Sequence, residues 1–283
     1  VPGNGSTYFL AVSGSGSTLQ VYNNTISNNV VSSLGSTHGL YTTFSDVTSK
    51  DVYNNTVSNI FEANGSFSGM YNTGGALSRI YKNKVQNISA SGTSSNMNGF
   101  YQASGTTKAY YYNNFISELS CPNSIASLGY DYTMINGFYV EGSTSVKAFY
   151  NNTVYLNATT STATFGTSAF CAMSLTGVDL RNNIFVNTST PSGVGTTAAI
   201  RSRNANVASY TNFNSNYNDL YAGSPGPSNN LFVIGSGTYT NIQTLPALRA
   251  LTNSDLQSVT ELPPFVNTVT TPNNLHLKTN VAT

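Results

Sequence analysis

This 283-residue chain has only ten acids, two histidines and two cysteines. Cleaving a polysaccharide needs a pair of carboxylates for general acid and base work, or a basic residue beside bound calcium. The nearest thing to a cluster is Asp46 and Asp51 with Glu62 shortly after, and solvated turn residues are the simpler reading of all three. His38 and His276 lie far apart in sequence with no nucleophile motif around either. Neither HExxH nor a Gly-rich phosphate loop is present. Cys121 and Cys171 form no CxxC and no Cys/His set for zinc; in an exported chain they could pair, or stand as two unpaired small side chains. The expectation is no catalytic residue, no metal site and no cofactor.

What the chain has in quantity is side chains that bind without reacting: 19 tyrosines, set among Asn, Ser and Thr. Tyr130, Asp131 and Tyr132 place a carboxylate between two aromatics, with Glu118 and Glu141 not far off. They are the first place to look for a pocket, the alternative being a surface loop with no ligand. A basic residue also recurs just before four of the Tyr-Asn-Asn phrases, at Lys50, Arg79, Lys108 and Lys147. The offsets differ by a residue or two, so separate solvated turns are the simpler reading, and a ladder gripping an anionic polymer the alternative.

Charged residues make up 7% of the chain, against about 25% in an ordinary soluble domain, so solubility must rest on amides and hydroxyls. The 39% hydrophobic and 12% aromatic content, regularly spaced, supplies the apolar area that a disordered chain lacks. Net charge is +1 with the basic residues scattered, which excludes an electrostatic footprint for nucleic acid. No apolar run approaches the roughly 18 residues of a membrane span. The chain opens on Val1 without a signal-peptide core, so it is expected to be mature or a fragment of something longer.

The elements that position these side chains follow from a repeat. The phrase apolar-Tyr-Asn-Asn-any-apolar stands at Val21 to Ile26, Val52 to Val57, Ile80 to Val85, Tyr111 to Ile116, Phe149 to Val154 and Leu180 to Phe185, with a degenerate seventh copy within Asn212 to Asn218. A second phrase precedes the later copies: Gly39-Leu40-Tyr41, Gly69-Met70-Tyr71, Gly99-Phe100-Tyr101, Gly137-Phe138-Tyr139, Ala169-Phe170-Cys171 and Ala199-Ile200-Arg201. The period is about 30 residues. Apolar and polar residues alternate over short runs separated by Gly, Ser, Thr and Asn, the pattern of strand and turn.

Short strands recurring once per unit are satisfied if each unit is one coil and every strand bonds its equivalent roughly 4.8 Å above. The fold expected is therefore all-β: a right-handed parallel β-helix of about seven to nine coils. Asn at a fixed position tolerates a left-handed turn and can bond the same amide one coil up, so Asn24, Asn55, Asn83, Asn114, Asn152 and Asn183 form the expected ladder.

The copies that break the pattern indicate which faces point out. Val21, Val52, Ile80, Tyr111, Phe149 and Leu180 stay apolar or aromatic and should face inward, whereas the next position is Tyr22, Tyr53, Tyr81, Tyr112 and Tyr150 and then Arg181. An Arg in the column implies exposure. By the same argument Tyr41, Tyr71, Tyr101 and Tyr139, which give way to Arg201, form a second outward column. Aromatic strips of this kind could stack on sugar rings or on a neighbouring copy, or simply stabilise the sheet.

On these phrases the chain resembles the parallel β-helix repeat family, the pectate-lyase-like superfold, over roughly residues 6 to 220. The later stretches Asn182 to Asn187, Asn216 to Tyr221, Pro263 to Asn267 and Leu275 to Leu277 look like large secreted surface proteins of Bacteroidetes, which resemble adhesins more than enzymes. That likeness implies export and a bacterial cell-surface location. Coils are expected over 1–221. Over 222–283 we expect a loop and short-helix excursion of the same domain, with Thr244 as N-cap and Leu245, Leu248 and Leu251 on one side, returning to strands of a further coil.

Three function classes follow: a non-catalytic adhesin or structural spacer binding glycan, a polysaccharide lyase or glycoside hydrolase, and an ice-binding protein. Scarce acids disfavour the second. Ice binding wants a regular Thr array, whereas the column after Asn-Asn runs Thr25, Thr56, Lys84, Phe115, Thr153, Ile184. The expected partners are a polysaccharide or cell-surface glycan, and neighbouring copies of the same array.

Overall fold

In the computed structural model, residues 5–44, 48–125, 133–142, 145–210 and 213–279 are described. The alternating runs form three strands per coil, and equivalent strands pair in parallel from coil to coil. Sheet A contains Thr7–Gly14, Ser36–Phe44, Ser66–Gly74, Met97–Gln102, Ile135–Val140, Thr167–Ala172, Thr197–Ser202 and Asn229–Ile234. Sheet B contains Thr18–Tyr22, Ser49–Tyr53, Leu77–Tyr81, Lys108–Tyr112, Val146–Tyr150, Val178–Arg181 and Asn214–Asn216. Sheet C contains Thr25–Val31, Thr56–Glu62, Lys84–Ala90, Phe115–Ser120, Thr153–Leu156, Ile184–Asn187 and Asp219–Tyr221. The chain is thus a parallel β-helix of seven three-stranded coils, with an eighth strand on sheet A.

Stacking in register brings like residues together inside. Leu40, Met70, Phe100, Phe138, Phe170, Ile200 and Phe232 form one buried column, and Val52, Ile80, Tyr111, Phe149 and Leu180 another. Each such side chain contributes about 1.5–3 kcal/mol by leaving water, which is how a chain with few charges holds its shape.

The turn from sheet B to sheet C divides the work of the Asn-Asn pair. The first residue takes the left-handed conformation, at Asn23, Asn54, Lys82, Asn113, Asn151, Asn182 and Tyr217, with φ between 54° and 57°. The second does not, and it builds the ladder. Both properties were expected of the second residue alone; the backbone assigns left-handedness one position earlier.

The ladder itself is continuous. The Asn55 Oδ1 accepts from the main-chain N–H and Nδ2 of Asn24, at 3.0 and 2.8 Å, and the same double acceptance repeats through Asn83, Asn114, Asn152, Asn183 and Asn218. From Asn55 onward each Nδ2 also donates to a carbonyl one coil earlier, such as Ile80 O for Asn114. Asn218 is the degenerate seventh rung, and Asp255 and Ser258 close the ladder by accepting its Nδ2 and main-chain N–H.

Beyond the coils, Thr244 accepts from Ala247 N and caps an eight-residue helix, Leu245–Thr252, that buries Leu245 and Leu248. The strands Phe265–Asn267 and Asn274–Leu277 do not stack on the array as a further coil. They pair antiparallel with each other and lie against the outside of sheet C, where Phe265 and Leu275 pack with Tyr155 and Val186. Glu118 Oε2 accepts from Asn273 N at 3.0 Å and ties the hairpin to the fourth coil. This explains the break in the Thr25, Thr56 column, whose later members Phe115 and Ile184 pack beneath the hairpin.

Candidate functional site

The outer face of sheet A carries a recess. Gly39, Gly69, Gly99 and Gly137 each point inward: a Cβ on Gly39 would lie 2.6 Å from both the Gly69 carbonyl oxygen and Val57 Cγ1. Because the next residue, Leu40, is also buried, strict alternation breaks here, and glycine avoids the clash in these four coils, with Ala169 and Ala199 following in the later ones. The outward positions flanking this break are two columns in register. One runs Tyr41, Tyr71, Tyr101, Tyr139, and the other His38, Ser68, Asn98, Asn136.

Between these columns lie two contiguous hollows that share Asn96, Asn98 and Tyr101. The wider, about 390 Å³, is lined by Tyr8, His38, Tyr41, Ser68 and Tyr71 among others. The deeper, about 230 Å³, is lined by Thr133, Asn136, Tyr139, Glu141, Cys171 and Arg203. Together they make a groove along the helix axis with a phenolic wall and an amide wall.

The deep end is polar and organised. Tyr101 donates to Glu141 Oε1 at 2.5 Å, and Arg203 Nη1 donates to the Tyr139 hydroxyl at 3.0 Å. Burial, then the Glu141 hydrogen bond, raises the Tyr101 phenol; burial pushes Tyr139 up to about 12, so both stay protonated at any ordinary pH. Along the opposite wall, Asn136 Nδ2 donates to Asn98 Oδ1 at 3.0 Å and Asn98 Nδ2 to Asn96 Oδ1 at 3.1 Å. The chain of amides ends on Asn136 Oδ1, which is buried with no hydrogen-bond partner, as is His38 Nδ1 in the wider hollow. Burial lowers the His38 pKa to about 4, so this imidazole is neutral near pH 7.

The tyrosine columns run in register from coil to coil, and most neighbouring rings stack. In sheet B, Tyr22, Tyr53, Tyr81 and Tyr112 stack at 5.0, 4.9 and 4.7 Å with planes 4° to 6° apart. Tyr150 pairs with Tyr112 in register and donates its hydroxyl to Asp179. In sheet A, Tyr41, Tyr71, Tyr101 and Tyr139 follow at 5.0, 4.8 and 5.1 Å. Inner rings therefore spend their faces on each other and turn edges and hydroxyls outward.

Several residues sit differently from expectation. Arg201, whose charge predicts an exposed column, is 1% exposed; it donates to Ser168 Oγ and Thr196 Oγ1 and lies over the Tyr239 ring, because strand Thr240–Ile242 pairs antiparallel on the last sheet A strand and covers this end. Lys50 and Lys147 are interior, not solvated turns, and share one inward column with Ser78 and Ala109. Asp51 is paired with Arg79 at 2.5 Å, and Glu62 is buried, accepting from Ser33 N, Thr37 Oγ1 and Gly65 N. No acidic cluster results from these two; Asp46 falls outside the described residues. So do Tyr130, Asp131 and Tyr132, although Thr133, which follows them, lines the deep hollow. No disulfide joins Cys121 and Cys171, which are both buried.

The groove's amide wall was missed in the sequence. Its signal is the residue before each glycine of the second phrase, polar in every coil from His38 to Asn136. Among the described residues no group of three or more His, Cys, Asp or Glu could hold a metal, and no helix is long and apolar enough to cross a membrane. No protein-family model matches the chain, nor does any curated protein or solved structure.

Proposed function

We propose that this chain is a non-catalytic β-helix segment of an exported, cell-surface protein, an adhesin or spacer that holds a glycan in the sheet A groove. The observation that carries this reading is the pairing of the Tyr41 to Tyr139 wall with an amide wall whose buried Asn136 Oδ1 and His38 Nδ1 lack partners. A buried acceptor without a donor costs about 1–3 kcal/mol, and a ligand hydroxyl would recover it. Cleavage is disfavoured by the same geometry: Glu141 is the one carboxylate among the described lining residues, and the Tyr101 hydroxyl already occupies it.

A glycan array probed with the wild-type chain and with Tyr71→Ser/Asn98→Ala tests this. Binding by the wild type that the double variant loses, while its far-UV spectrum stays unchanged, supports the groove. Equal binding by both, or turnover of any bound glycan, removes it.

A further inference from the structure

The groove's charge and its closed end say more about what it holds, given that it is the binding site. Over the reach from Tyr8 to Tyr101 the described lining side chains are hydroxyls, amides, phenols and an imidazole kept neutral by burial. The only guanidinium and the only carboxylate among the described lining residues, Arg203 and Glu141, stand together at the deep end. A polyanion laid along this wall would surrender its hydration with a single cation in reach, an uncompensated cost for every charge but one. A neutral polyol loses nothing of that kind, and its hydroxyls, which both donate and accept, can donate to Asn136 Oδ1 and bond His38 Nδ1 in either tautomer.

The groove also stops. One coil past Tyr139 the column is Cys171 and then Arg201, both 2% exposed or less, and the amide column continues into Ser168 and Ala198, both fully buried. Cys171 still lines the deep hollow, and the Tyr239 ring over Arg201 closes the column beyond it. Its spacing is set by the coils: the Tyr41, Tyr71, Tyr101 and Tyr139 rings repeat every 4.8 to 5.1 Å, comparable to one pyranose unit of an extended chain.

We propose that the groove binds a neutral, hydroxyl-rich polysaccharide, one sugar per coil, with a chain end seated between Glu141 and Arg203. The probes are cello-, xylo-, manno- and malto-oligosaccharides of two to six units, each also blocked at one end by reduction or at the other by O-methylation, with oligogalacturonates and sulfated oligosaccharides as anionic counterparts. Titration calorimetry should show one neutral series binding more tightly with each added unit up to about four. Its affinity should change less than twofold between about 50 and 500 mM salt and fall about tenfold when one particular end is blocked. Arg203→Met should erase the difference between blocked and unblocked chains while leaving the coils folded. Preference for the anionic series with steep salt dependence would overturn the neutral class yet leave the groove standing as a glycan site. Equal binding of chains blocked at either end would overturn end recognition. Failure of every oligosaccharide to bind would sink the groove as a glycan site, and this inference with it.

Discussion

Asn152 Oδ1 accepts two hydrogen bonds from Asn114, one from the main-chain N–H at 3.1 Å and one from Nδ2 at 2.9 Å. Both residues are fully buried, and the remaining Nδ2 proton of Asn114 goes to Ile80 O at 2.9 Å. One side chain thus ties three coils together at the turn, beside the main-chain bonds from Asn113 N to Tyr150 O and from Thr153 N to Asn114 O.

Truncating that side chain should be costly because its partners stay buried. Asn114→Ala leaves the buried main-chain N–H and Nδ2 of Asn83 without their acceptor and takes one donor each from Ile80 O and Asn152 Oδ1, and should destabilise by about 1–3 kcal/mol in a denaturant titration. Asn113→Gly, one residue earlier at φ 56°, should be close to neutral, since glycine occupies that conformation freely. Equal costs at the two positions would contradict the division of roles between them.

The coil architecture, the inward columns and the ladder were legible in the sequence because each is written once per coil, and repetition averages out local ambiguity. Asn-Asn could not reveal which member bends the backbone; only the copies with Lys82 and Tyr217 in the first place hint at it. Arg201 misled because a charged side chain signals exposure only where nothing comes back to cover it, and strand Thr240–Ile242 returns from far along the chain. The groove was half legible. Its tyrosine wall stood out, while its amide wall varies in residue type and shows only once the strands are in register.

Lys50 makes stability depend on pH in a direction that can be worked out. It is fully buried, donates from Nζ to Thr73 O at 2.6 Å and lies 5.1 Å from the Phe44 ring centre. Burial lowers its pKa from 10.5 to about 7. Between those values the unfolded chain binds a proton that the folded chain does not, so this group's contribution to stability falls as pH drops from above 10 to about 7 and is level below. Lys50→Met should remove that slope, gaining on the order of 1–4 kcal/mol at pH 7 and little near pH 10. Melting curves of both proteins across this range measure it; a gap independent of pH would mean that the amine stays charged in the fold.

The sheet B tyrosines should act chiefly on stability. Tyr53 and Tyr81 lie 4.9 Å apart with planes 6° from parallel, each stacked on its other face as well. Aromatic pairs of this kind contribute about 0.5–1.5 kcal/mol beyond their buried area. Tyr53→Ser/Tyr81→Ser should therefore lower the melting temperature and leave glycan binding in the sheet A groove unchanged. Lost binding with an unaltered melt would move the site to sheet B.

The C-terminal hairpin should come away without unfolding the coils. Its hold on the helix is local: Phe265 meets Tyr155 edge-on at 5.6 Å, His276 lies 5.4 Å from Phe115, and Glu118 accepts from Asn273 N. Its two strands pair only with each other, so no sheet of the solenoid depends on them. Phe265→Ala removes the largest apolar side chain that the hairpin buries, a loss of about 3 kcal/mol or more if the site cannot collapse. For a module held by so few contacts that should exceed its own docking energy. Hydrogen exchange should then show protection lost over 265–277 and kept at the Asn ladder, with dye binding rising as Phe115, Ile184 and Val186 are uncovered. Uniform loss of protection through all seven coils would show instead that the hairpin is part of the cooperative core, and that sheet C needs its cover to hold.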